Sequence, residues 1–196
     1  MAGPDRPRTW LLRHGATEWS VDGRHTGRTD VPLTDAGRDE ARAAAAVLAG
    51  RTFARVRVSP LGRARETAAL AGVGDDAEVT EALLEVDYGA FEGISTADIR
   101  RSHPGWTVWD GPLPGGETLD AVAARIEPVI AAARAEAGDT LLVAHGHVLR
   151  VLVARWCGLE PALGRLFALE TATVSVLGWE HEYPTVQALN LRSPAR

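Results

Sequence analysis

The chain has 196 residues, enough for one domain with a substantial core but too few for two ordinary domains. Hydrophobic residues make up 45% and charged residues 24%, as in an ordinary globular protein, and no apolar run is long enough to span a membrane. The formal net charge of −5 argues against a nucleic-acid-binding protein. We therefore expect a cytoplasmic protein with one domain over residues 8–192, preceded by a short flexible segment, residues 1–7.

The first half of the domain alternates between strand and helix patterns. The apolar run Trp10-Leu11-Leu12 predicts a buried strand. An alanine-rich stretch then predicts a helix that begins after Thr34 and ends near Gly50. The alternating, β-branched residues 54–59 predict the next strand, and Pro60 suits the first turn of the helix that follows it.

The second half continues this alternation. Val79 is predicted in a short strand, and Ser95 begins a short helix that ends before Pro104. Pro128 should kink or break the long helix predicted over 118–136. The remaining predicted elements are a strand, a helix and two further strands, over residues 140–144, 148–156, 174–179 and 186–191. Such alternation predicts an α/β domain whose largely parallel sheet is covered by helices on both faces.

Three polar segments directly follow predicted strands. They are Arg13-His14-Gly15, residues 59–63 and His145-Gly146-His147. In open α/β sheets, ligands bind beyond the carboxyl ends of the strands. The order and spacing of the segments therefore predict that all three lie at one edge of the sheet.

Arg13-His14-Gly15 has the chemistry for attack on a phosphate. The His14 imidazole can act as a nucleophile, and the Arg13 guanidinium can hold phosphoryl oxygens in a fork. Gly15 would let the backbone come close to the ligand. Taken alone, the tripeptide is also compatible with a loop histidine beside a surface arginine, so its interpretation depends on partners elsewhere in the chain.

Two further segments supply candidate partners. Arg63 lies near the start of a predicted helix, where its charge could reach an anion that the helix N-terminus also favours. It could equally be a solvated helix arginine, as we expect for Arg65. Glu85, Asp87 and Glu92 lie in a loop-like stretch, and one of them could protonate a leaving oxygen as general acid. Spacing alone does not choose among these three acids.

His145 follows the buried strand over 140–144 and stands beside a glycine, which is typical of a site residue. His145 and His147 could also form a metal-binding pair. Few other ligands lie nearby, however, and Arg13 and Arg63 would repel a cation. We therefore expect no metal at this site.

The same segments carry a resemblance to a known family. Four separated motifs match in order, namely residues 12–18, 24–34, 59–68 together with 85–93, and 143–146. On these motifs the chain resembles the histidine phosphatase superfamily, also called the phosphoglycerate-mutase-like superfamily, over nearly its whole length. The resemblance implies a three-layer α/β/α fold with a small cap region. It also implies a reaction through a phosphohistidine intermediate, without a cofactor.

Roles for individual residues follow from the resemblance by position. It implies that His14 is the nucleophile and that Glu85 is the proton donor. Arg13, Arg63 and a protonated His145 would form the phosphate pocket and hold the equatorial oxygens. A carboxyl group that donates its proton has to stay protonated at the working pH. We therefore expect a desolvated site with a neutral-to-acid optimum and no need for a metal.

Phosphatases and mutases of this family share the pocket. Mutases usually carry a longer insertion than residues 94–114, and they tend to have asparagine where this chain has Ser20. Both differences favour a phosphatase. Thr26-Gly27 resembles the mutase form instead. A phosphoglycerate-type mutase therefore stays open as an alternative, as does a non-catalytic phosphate-binding module.

Three sequence segments together resemble the mycobacterial acid phosphatases of the family and, more distantly, the fungal sedoheptulose-bisphosphatase. These segments are residues 17–20, 106–111 and 145–150. This subgroup implies a sugar phosphate or a similar small phosphomonoester as the substrate, and the family makes a homodimer reasonable. The tryptophans at 106 and 109 could pack in the core or contact the substrate. The expected substrate-binding residues, besides those of the phosphate pocket, are Thr17, Ser20, Thr26, Gly27, Tyr88, Gly146 and His147.

The other histidines and the single cysteine are expected outside the site. His25, His103 and His181 are predicted at the surface, and Cys157 is predicted as a small core residue in a helix. A lone cysteine excludes an internal disulfide.

Overall fold

The computed structural model describes residues 6–193, so most of the predicted N-terminal segment over 1–7 lies outside the described residues. The strands are β1 (Thr9–Arg13), β2 (Arg55–Val58), β3 (Glu78–Val79), β4 (Thr140–Ala144), β5 (Val174–Glu180) and β6 (Tyr183–Leu191). The α-helices are α1 (Glu18–Val21), α2 (Asp35–Leu48), α3 (Gly62–Leu70), α4 (Thr96–Ser102), α5 (Leu119–Ala135) and α6 (Gly146–Trp156). Within the described range, no helix has the length and apolar character needed to cross a membrane.

All six strands form one sheet in the order β3-β2-β4-β1-β5-β6. The pairings that join β3, β2, β4 and β1 are parallel, whereas β5 pairs antiparallel with both β1 and β6. The sheet is therefore mostly parallel, as predicted, with an antiparallel edge. Arg13 of β1 stands level with Ala144 of β4. His14 and His145 consequently leave the sheet side by side, at the carboxyl ends of two neighbouring strands.

Helices cover both faces of the sheet. Side chains alternate along a strand, so successive residues of β1 enter different layers. Trp10 and Leu12 pack with buried residues of α2 and α3, whereas Leu11 packs with buried residues of α5 and α6. The result is the three-layer α/β/α arrangement that the motifs implied.

Two predicted helix starts shift by a few residues. α3 begins at Gly62 after Leu61 at its N-cap, so Pro60 precedes the helix instead of forming its first turn. α6 begins at Gly146, two residues earlier than predicted, with His145 at its N-cap. The backbone of His145 therefore forms the junction between β4 and α6, which fixes the direction in which its side chain leaves the sheet.

The long helix α5 continues through Pro128, so the predicted break is wrong. Proline removes one helical hydrogen bond, but buried residues on both sides of it hold the two halves against the core. They are Ile126 before the proline and Val129 and Ile130 after it.

Two glycines let α2 approach the loop that follows β1. A Cβ atom at Gly15 would lie 2.2 Å from the carbonyl oxygen of Gly37, and a Cβ atom at Gly37 would lie 2.1 Å from that of Ala16. Both distances are far below a van der Waals contact, so only glycine fits at either position. The structure thus gives Gly15 a packing role that the sequence did not predict.

Candidate active site

A cavity of about 440 Å³ opens beyond the carboxyl ends of β1 and β4, the position expected for a site in an α/β sheet. Eight of the predicted site residues line it: Arg13, His14, Ser20, Thr26, Glu85, Tyr88, Gly146 and His147. The other four, Thr17, Gly27, Arg63 and His145, are buried around this cavity without lining it.

His14 is only 4% exposed and lines the cavity. Its Nδ1 donates to the carbonyl oxygen of Gly15 over 2.7 Å, since a carbonyl oxygen can only accept. The proton of the neutral ring is therefore on Nδ1, and Nε2 keeps its lone pair. Burial lowers the pKa of His14 well below its ordinary value, and the charges of Arg13 and Arg63 lower it further. The ring is neutral.

Arg13, the last residue of β1, lies beside His14. Its Nη1 donates to the carbonyl oxygen of Leu169 over 2.6 Å. Its Nε–H is buried and has no hydrogen-bond partner among the described residues. Gly146 leaves room for the guanidinium, because a Cβ atom there would lie 3.3 Å from Cζ of Arg13. Since buried donors are normally paired, this N–H marks a position where an acceptor is needed.

Arg63 has a fully buried side chain that three backbone carbonyls hold in place. Nη1 donates to Thr29 over 2.7 Å, and Nη2 donates to Thr26 over 3.2 Å and to Gly27 over 2.9 Å. Burial lowers its pKa. Arg63 thus places a positive charge behind His14 without reaching the cavity surface.

The N-terminus of α3 does not serve a ligand as expected. The amides of Gly62 and Arg63 donate to the carboxylate of Asp30 over 2.7 and 3.4 Å. An acidic side chain is the ordinary partner of a helix N-terminus. The anion that this helix end favours is therefore Asp30, from the loop before α2.

His145 lies directly behind His14, with 5.1 Å between ring centroids. Its Nδ1 accepts a hydrogen bond from Nε of Arg63 over 3.1 Å, and its Nε2–H donates to Oγ of Ser59 over 2.7 Å. Burial lowers its pKa well below the ordinary value, and Arg63 adds to this. The ring is therefore neutral, which corrects the expectation that His145 is protonated.

Glu85 lines the cavity with a carboxyl group that three backbone amides hold. Oε1 accepts from Val86 over 2.9 Å and from Val148 over 2.8 Å, and Oε2 accepts from His147 over 2.9 Å. Two of these amides belong to the first turn of α6 and would otherwise lack partners. The carboxyl group is buried as expected, but polar amides surround it and Oε2 keeps a lone pair.

The other two candidate acids hold backbone instead of lining the cavity. Glu92 Oε1 accepts from the amides of Gly27 and Thr29 over 2.8 and 3.0 Å, and so fixes the loop that binds Arg63. Asp87 accepts from the Gly89 amide over 2.9 Å. Structure therefore distinguishes Glu85 from the two acids that spacing left as alternatives.

Comparison with known proteins agrees with this geometry. The model of the histidine phosphatase superfamily, branch 1, matches residues 9–192. The chain belongs to the histidine phosphatase superfamily. It is 42% identical over 193 residues to an acid phosphatase of Mycobacterium tuberculosis, covering 94% of this chain and 92% of that protein. It is 32% identical over 185 residues to sedoheptulose 1,7-bisphosphatase of Saccharomyces cerevisiae, covering 78% and 68%.

A solved structure of an open reading frame of Mycobacterium tuberculosis has a TM-score of 0.91 and 41% identity, covering 95% of this chain and 98% of that one. The family and the resemblance to mycobacterial and fungal phosphatases are thus confirmed. Membership in the superfamily places the chemistry of this chain among phosphatases and mutases.

Aromatic rings form one wall of the cavity in this superfamily member. His25 is 8% exposed, so its predicted surface position is wrong. Its ring packs 4.8 Å from Tyr88 and 5.3 Å from Trp106, and its Nε2 bonds to Oγ1 of Thr96 over 3.1 Å. Burial lowers its pKa to about 4. Tyr88 also bonds through its hydroxyl to Nδ1 of His147 over 2.6 Å.

Trp106 and Trp109 lie in the segment over residues 94–114, which forms the cap, and they differ in role. Trp106 is 4% exposed, donates from Nε1 to the carbonyl oxygen of Pro112 over 2.9 Å, and does not line the cavity. Trp109 lines the cavity, with its ring 5.1 Å from that of His147. Packing therefore accounts for Trp106, whereas Trp109 faces the space available to a ligand.

The structure gives Thr17 and Gly27 structural roles, and their expected contact with the substrate stays a prediction. The hydroxyl of Thr17 caps the N-terminus of α1, because its oxygen accepts a hydrogen bond from the Ser20 amide over 3.2 Å. A Cβ atom at Gly27 would lie 2.5 Å from the carbonyl oxygen of Val86, so this glycine permits close packing of the loop against the acid segment. Ser20 itself lines the cavity, as expected.

Sequence reasoning missed several polar residues of the site, among them three arginines and a serine. Arg24, Arg100 and Arg150 line the cavity, and Ser59 bonds to His145. Arg150 could have been found, because it lies three residues after His147 and therefore on the same face of α6. No local signal identifies Arg100, whose position depends on how α4 folds over the sheet edge.

The remaining predictions concern residues away from the cavity. His103 and His181 are exposed as expected, and Cys157 packs against the core while staying partly accessible. In the described part of the chain, no group of three or more His, Cys, Asp or Glu side chains is arranged to hold a metal ion.

Proposed function

We propose that this protein is a metal-independent phosphatase that hydrolyses small phosphomonoesters, such as sugar phosphates, through a phosphohistidine intermediate. The observation that carries the proposal is the pair formed by His14 and Arg13. Neutral His14 keeps a lone pair on Nε2, and Arg13 beside it has a buried Nε–H that no described residue accepts. A nucleophile next to an unpaired cationic donor suits an incoming phosphoryl group.

In the first step, Nε2 of His14 attacks phosphorus and the bond between phosphorus and the ester oxygen breaks. Arg13 holds a phosphoryl oxygen, and the charge of Arg63 stabilises the group from behind. Glu85 gives a proton to the departing oxygen, which leaves as an alcohol. Oε2 suits this task because Glu85 lines the cavity and this oxygen accepts only one hydrogen bond from the described residues.

In the second step, water attacks the phosphohistidine. Glu85 takes a proton from this water, the bond between phosphorus and Nε2 breaks, and inorganic phosphate leaves. The two arginines supply the positive charge that many phosphatases take from metal ions, which supports a reaction without a metal. Residues 94–114 contain only one short helix, α4, over the cavity, which supports transfer to water over transfer to a second substrate.

The proposal is tested with p-nitrophenyl phosphate in the presence of a chelator. We expect the wild-type protein to release nitrophenol and the His14→Ala variant to lose at least a thousandfold in kcat/KM. His103→Ala is the matched control, because His103 is exposed and is not among the residues that line the cavity. Full activity in His14→Ala, or activity that requires an added divalent ion, would contradict the proposal.

Trapping of the intermediate distinguishes the remaining alternatives. Rapid acid-free quenching with labelled substrate should give an acid-labile phosphate on the wild-type chain and none on His14→Ala. Transfer of the label to 3-phosphoglycerate faster than to water would indicate a mutase, and binding without turnover would indicate a non-catalytic module. We also propose that the protein is a cytoplasmic homodimer that acts on a metabolite and has neither nucleic acid nor membrane as a partner. Light scattering tests the dimer, and localisation of a tagged chain tests the compartment.

A further inference from the structure

The peptide group between Gly15 and Ala16 is hydrogen-bonded at both of its polar atoms. Its carbonyl oxygen, which belongs to Gly15, accepts from Nδ1 of His14 over 2.7 Å. Its N–H, which belongs to Ala16, donates to Oε2 of Glu40 over 3.1 Å. A continuous hydrogen-bonded chain therefore runs from the carboxylate of Glu40, through one planar amide, to the ring of His14.

Helix α2 holds Glu40 against this peptide group. The amide of Thr34, at the N-cap of α2, donates to the carbonyl oxygen of Ala16 over 2.9 Å. Three residues later, Gly37 lets the helix approach the same oxygen, because a Cβ atom at Gly37 would lie only 2.1 Å from it. Glu40 follows after another three residues, and residues three apart are neighbours on a helix surface. One edge of α2 thus packs on the loop after β1 and brings Glu40 to the Ala16 amide.

The neighbouring acids of α2 pair with arginines of the same helix instead. Asp35 lies 3.0 Å from Nη1 of Arg38, and Asp39 lies 2.7 Å from Nη1 of Arg42. Both aspartates are exposed to solvent. Glu40 is half-buried, and its carboxylate bonds to the loop that carries the nucleophile. The place of Glu40 therefore differs from that of an ordinary surface acid on a helix.

The bond at Nδ1 of His14 affects the reactivity of the ring at Nε2. Burial lowers the pKa of His14, the charges of Arg13 and Arg63 lower it further, and the bond to the Gly15 carbonyl raises it. Groups that make the ring less basic also make Nε2 a weaker nucleophile. The Gly15 carbonyl opposes this loss, so its strength as an acceptor matters for the attack on phosphorus.

Attack by Nε2 places a positive charge on the ring. The lone pair of Nε2 forms the bond to phosphorus, and the ester oxygen leaves with its bonding electrons and takes the proton of Glu85. His14 keeps its proton on Nδ1, so the phosphorylated ring is an imidazolium and a stronger donor to Gly15. Hydrogen bonds in a chain polarise one another. A carboxylate on the Ala16 N–H therefore strengthens the Gly15 carbonyl as an acceptor when the ring becomes charged.

We propose that Glu40 is a positioning residue for the nucleophile, which acts through the peptide group between Gly15 and Ala16 to orient the His14 ring and stabilise its developing charge. This inference rests on the proposed phosphatase function. Glu40 is not among the described residues that line the cavity, so its effect reaches His14 through the peptide group. The aspartate of a serine protease triad orients and stabilises its histidine in a similar way, but by direct contact.

Glu40→Gln separates the charge of Glu40 from its hydrogen bond. Glutamine keeps an oxygen that accepts from the Ala16 amide, whereas a charged acceptor forms a bond about twice as strong as a neutral one. We expect kcat/KM for p-nitrophenyl phosphate to fall about threefold to tenfold in Glu40→Gln, and further in Glu40→Ala, which removes the acceptor as well. Asp39→Asn is the matched control, because it removes one negative charge from an exposed position of the same helix. It should keep the wild-type kcat/KM.

Proton NMR of the free protein measures the hydrogen bond at Nδ1 directly. The Nδ1–H resonance of His14 is identified by its loss in His14→Ala. It should move upfield in Glu40→Gln, because a weaker hydrogen bond deshields its proton less, and should not move in Asp39→Asn. If Glu40 only docked α2 on the loop, Glu40→Gln would keep the wild-type resonance. Either an unchanged resonance or an unchanged kcat/KM in folded Glu40→Gln overturns the proposal.

Inhibition by inorganic phosphate separates an effect on His14 from one on Arg13. Burial lowers the pKa of Arg13, and the charge of Glu40 is among those that oppose this, so Glu40 lies within electrostatic reach of Arg13. Loss of that negative charge should leave phosphate inhibition as strong as in the wild type, or stronger. Inhibition weakened by the same factor as kcat/KM would place the effect at Arg13 and overturn the role of Glu40 toward His14.

The two proposals fail in different ways. Hydrolysis of p-nitrophenyl phosphate by the wild type, with the same kcat/KM in Glu40→Gln, overturns the role of Glu40 and leaves the phosphatase intact. Absence of hydrolysis by the wild type contradicts the phosphatase instead. In that case the Nδ1–H resonance decides the role of Glu40 by itself: an upfield shift in Glu40→Gln supports it, and an unchanged resonance overturns it.

Discussion

Arg63 donates a hydrogen bond from Nε to Nδ1 of His145 over 3.1 Å. Because a guanidinium group has no acceptor, this bond fixes His145 as a neutral ring whose proton lies on Nε2. Ser59 accepts from that nitrogen over 2.7 Å. A buried chain of three side chains therefore runs behind His14 and determines the orientation of the ring that packs against it.

Removal of the Ser59 hydroxyl should impair turnover as well as stability. Ser59→Ala leaves Nε2–H of His145 buried without an acceptor, which costs about 1–3 kcal/mol and frees the ring to turn. We expect kcat for p-nitrophenyl phosphate to fall about tenfold to a hundredfold, since small displacements in a site have effects of that size. Ser175→Ala is the control, because it removes a buried hydroxyl that bonds to Asn190 on the antiparallel edge. Equal kcat values for the two variants would contradict the role of Ser59.

Glu92 should act on catalysis through the loop that holds Arg63. Both of its hydrogen bonds from Gly27 and Thr29 reach Oε1. Glu92→Ala removes them, so we expect a loosened Arg63 and a fall in kcat of about tenfold. Glu92→Gln keeps an acceptor oxygen at the same place and should restore most of the activity. Equal losses in the two variants would show that the charge of Glu92 matters instead of its bonds.

Gly37→Ala should destabilise the protein although it improves helix propensity. Alanine in place of glycine inside a helix ordinarily stabilises it by about 0.5–1 kcal/mol. Here the new Cβ atom would lie 2.1 Å from a backbone oxygen of Ala16, which cannot move as a flexible side chain can. We expect a loss of about 2–4 kcal/mol in urea unfolding, as for an overpacked core. A variant more stable than the wild type would contradict this close approach.

Strand ends and helix starts are local signals, and they predicted the sheet, its helices and the approach of His14, Arg63 and His145. The choice of Glu85 came from the family resemblance, because spacing left three acids open. The sequence did not predict which groups form bonds with which. Asp30, which binds the start of α3, and Glu92, which binds the loop over 27–29, are far from their partners along the chain, and only the folded structure brings them together.

The sequence did not predict the neutral state of His145 for the same reason. A positive ring is a sound expectation beside a phosphate, but complete burial and the charges of Arg63, Arg13 and Arg125 lower the pKa of His145 and disfavour a further cation. His25 was misplaced because it precedes a polar loop, whereas α4 and Trp106 cover its ring. Tertiary contacts of this kind leave no periodic pattern in the sequence.

The buried His25 should make stability depend on pH between about 4 and 6.5. Its pKa is about 4 in the folded chain, because burial disfavours the charged ring, and near 6.5 in the unfolded chain. Between these values the unfolded chain binds more protons, so stability is fully present above 6.5 and is lost as the pH falls toward 4. The lowered pKa of His25 corresponds to a loss of about 3 kcal/mol in the free energy of unfolding. The pKa values of His14, His145 and His147 are also lowered and act in the same direction.

Urea unfolding at pH 7.5 and at pH 4.5 measures this loss. His25→Phe keeps an aromatic ring against Tyr88 but cannot bind a proton, so it should lose about 2–3 kcal/mol less than the wild type over that interval. His103→Phe replaces an exposed histidine and should show the wild-type loss. Carboxylates contribute equally to all three chains, so the difference between the two variants isolates His25. An equal pH dependence in His25→Phe and the wild type would show that the His25 ring is not kept neutral by burial.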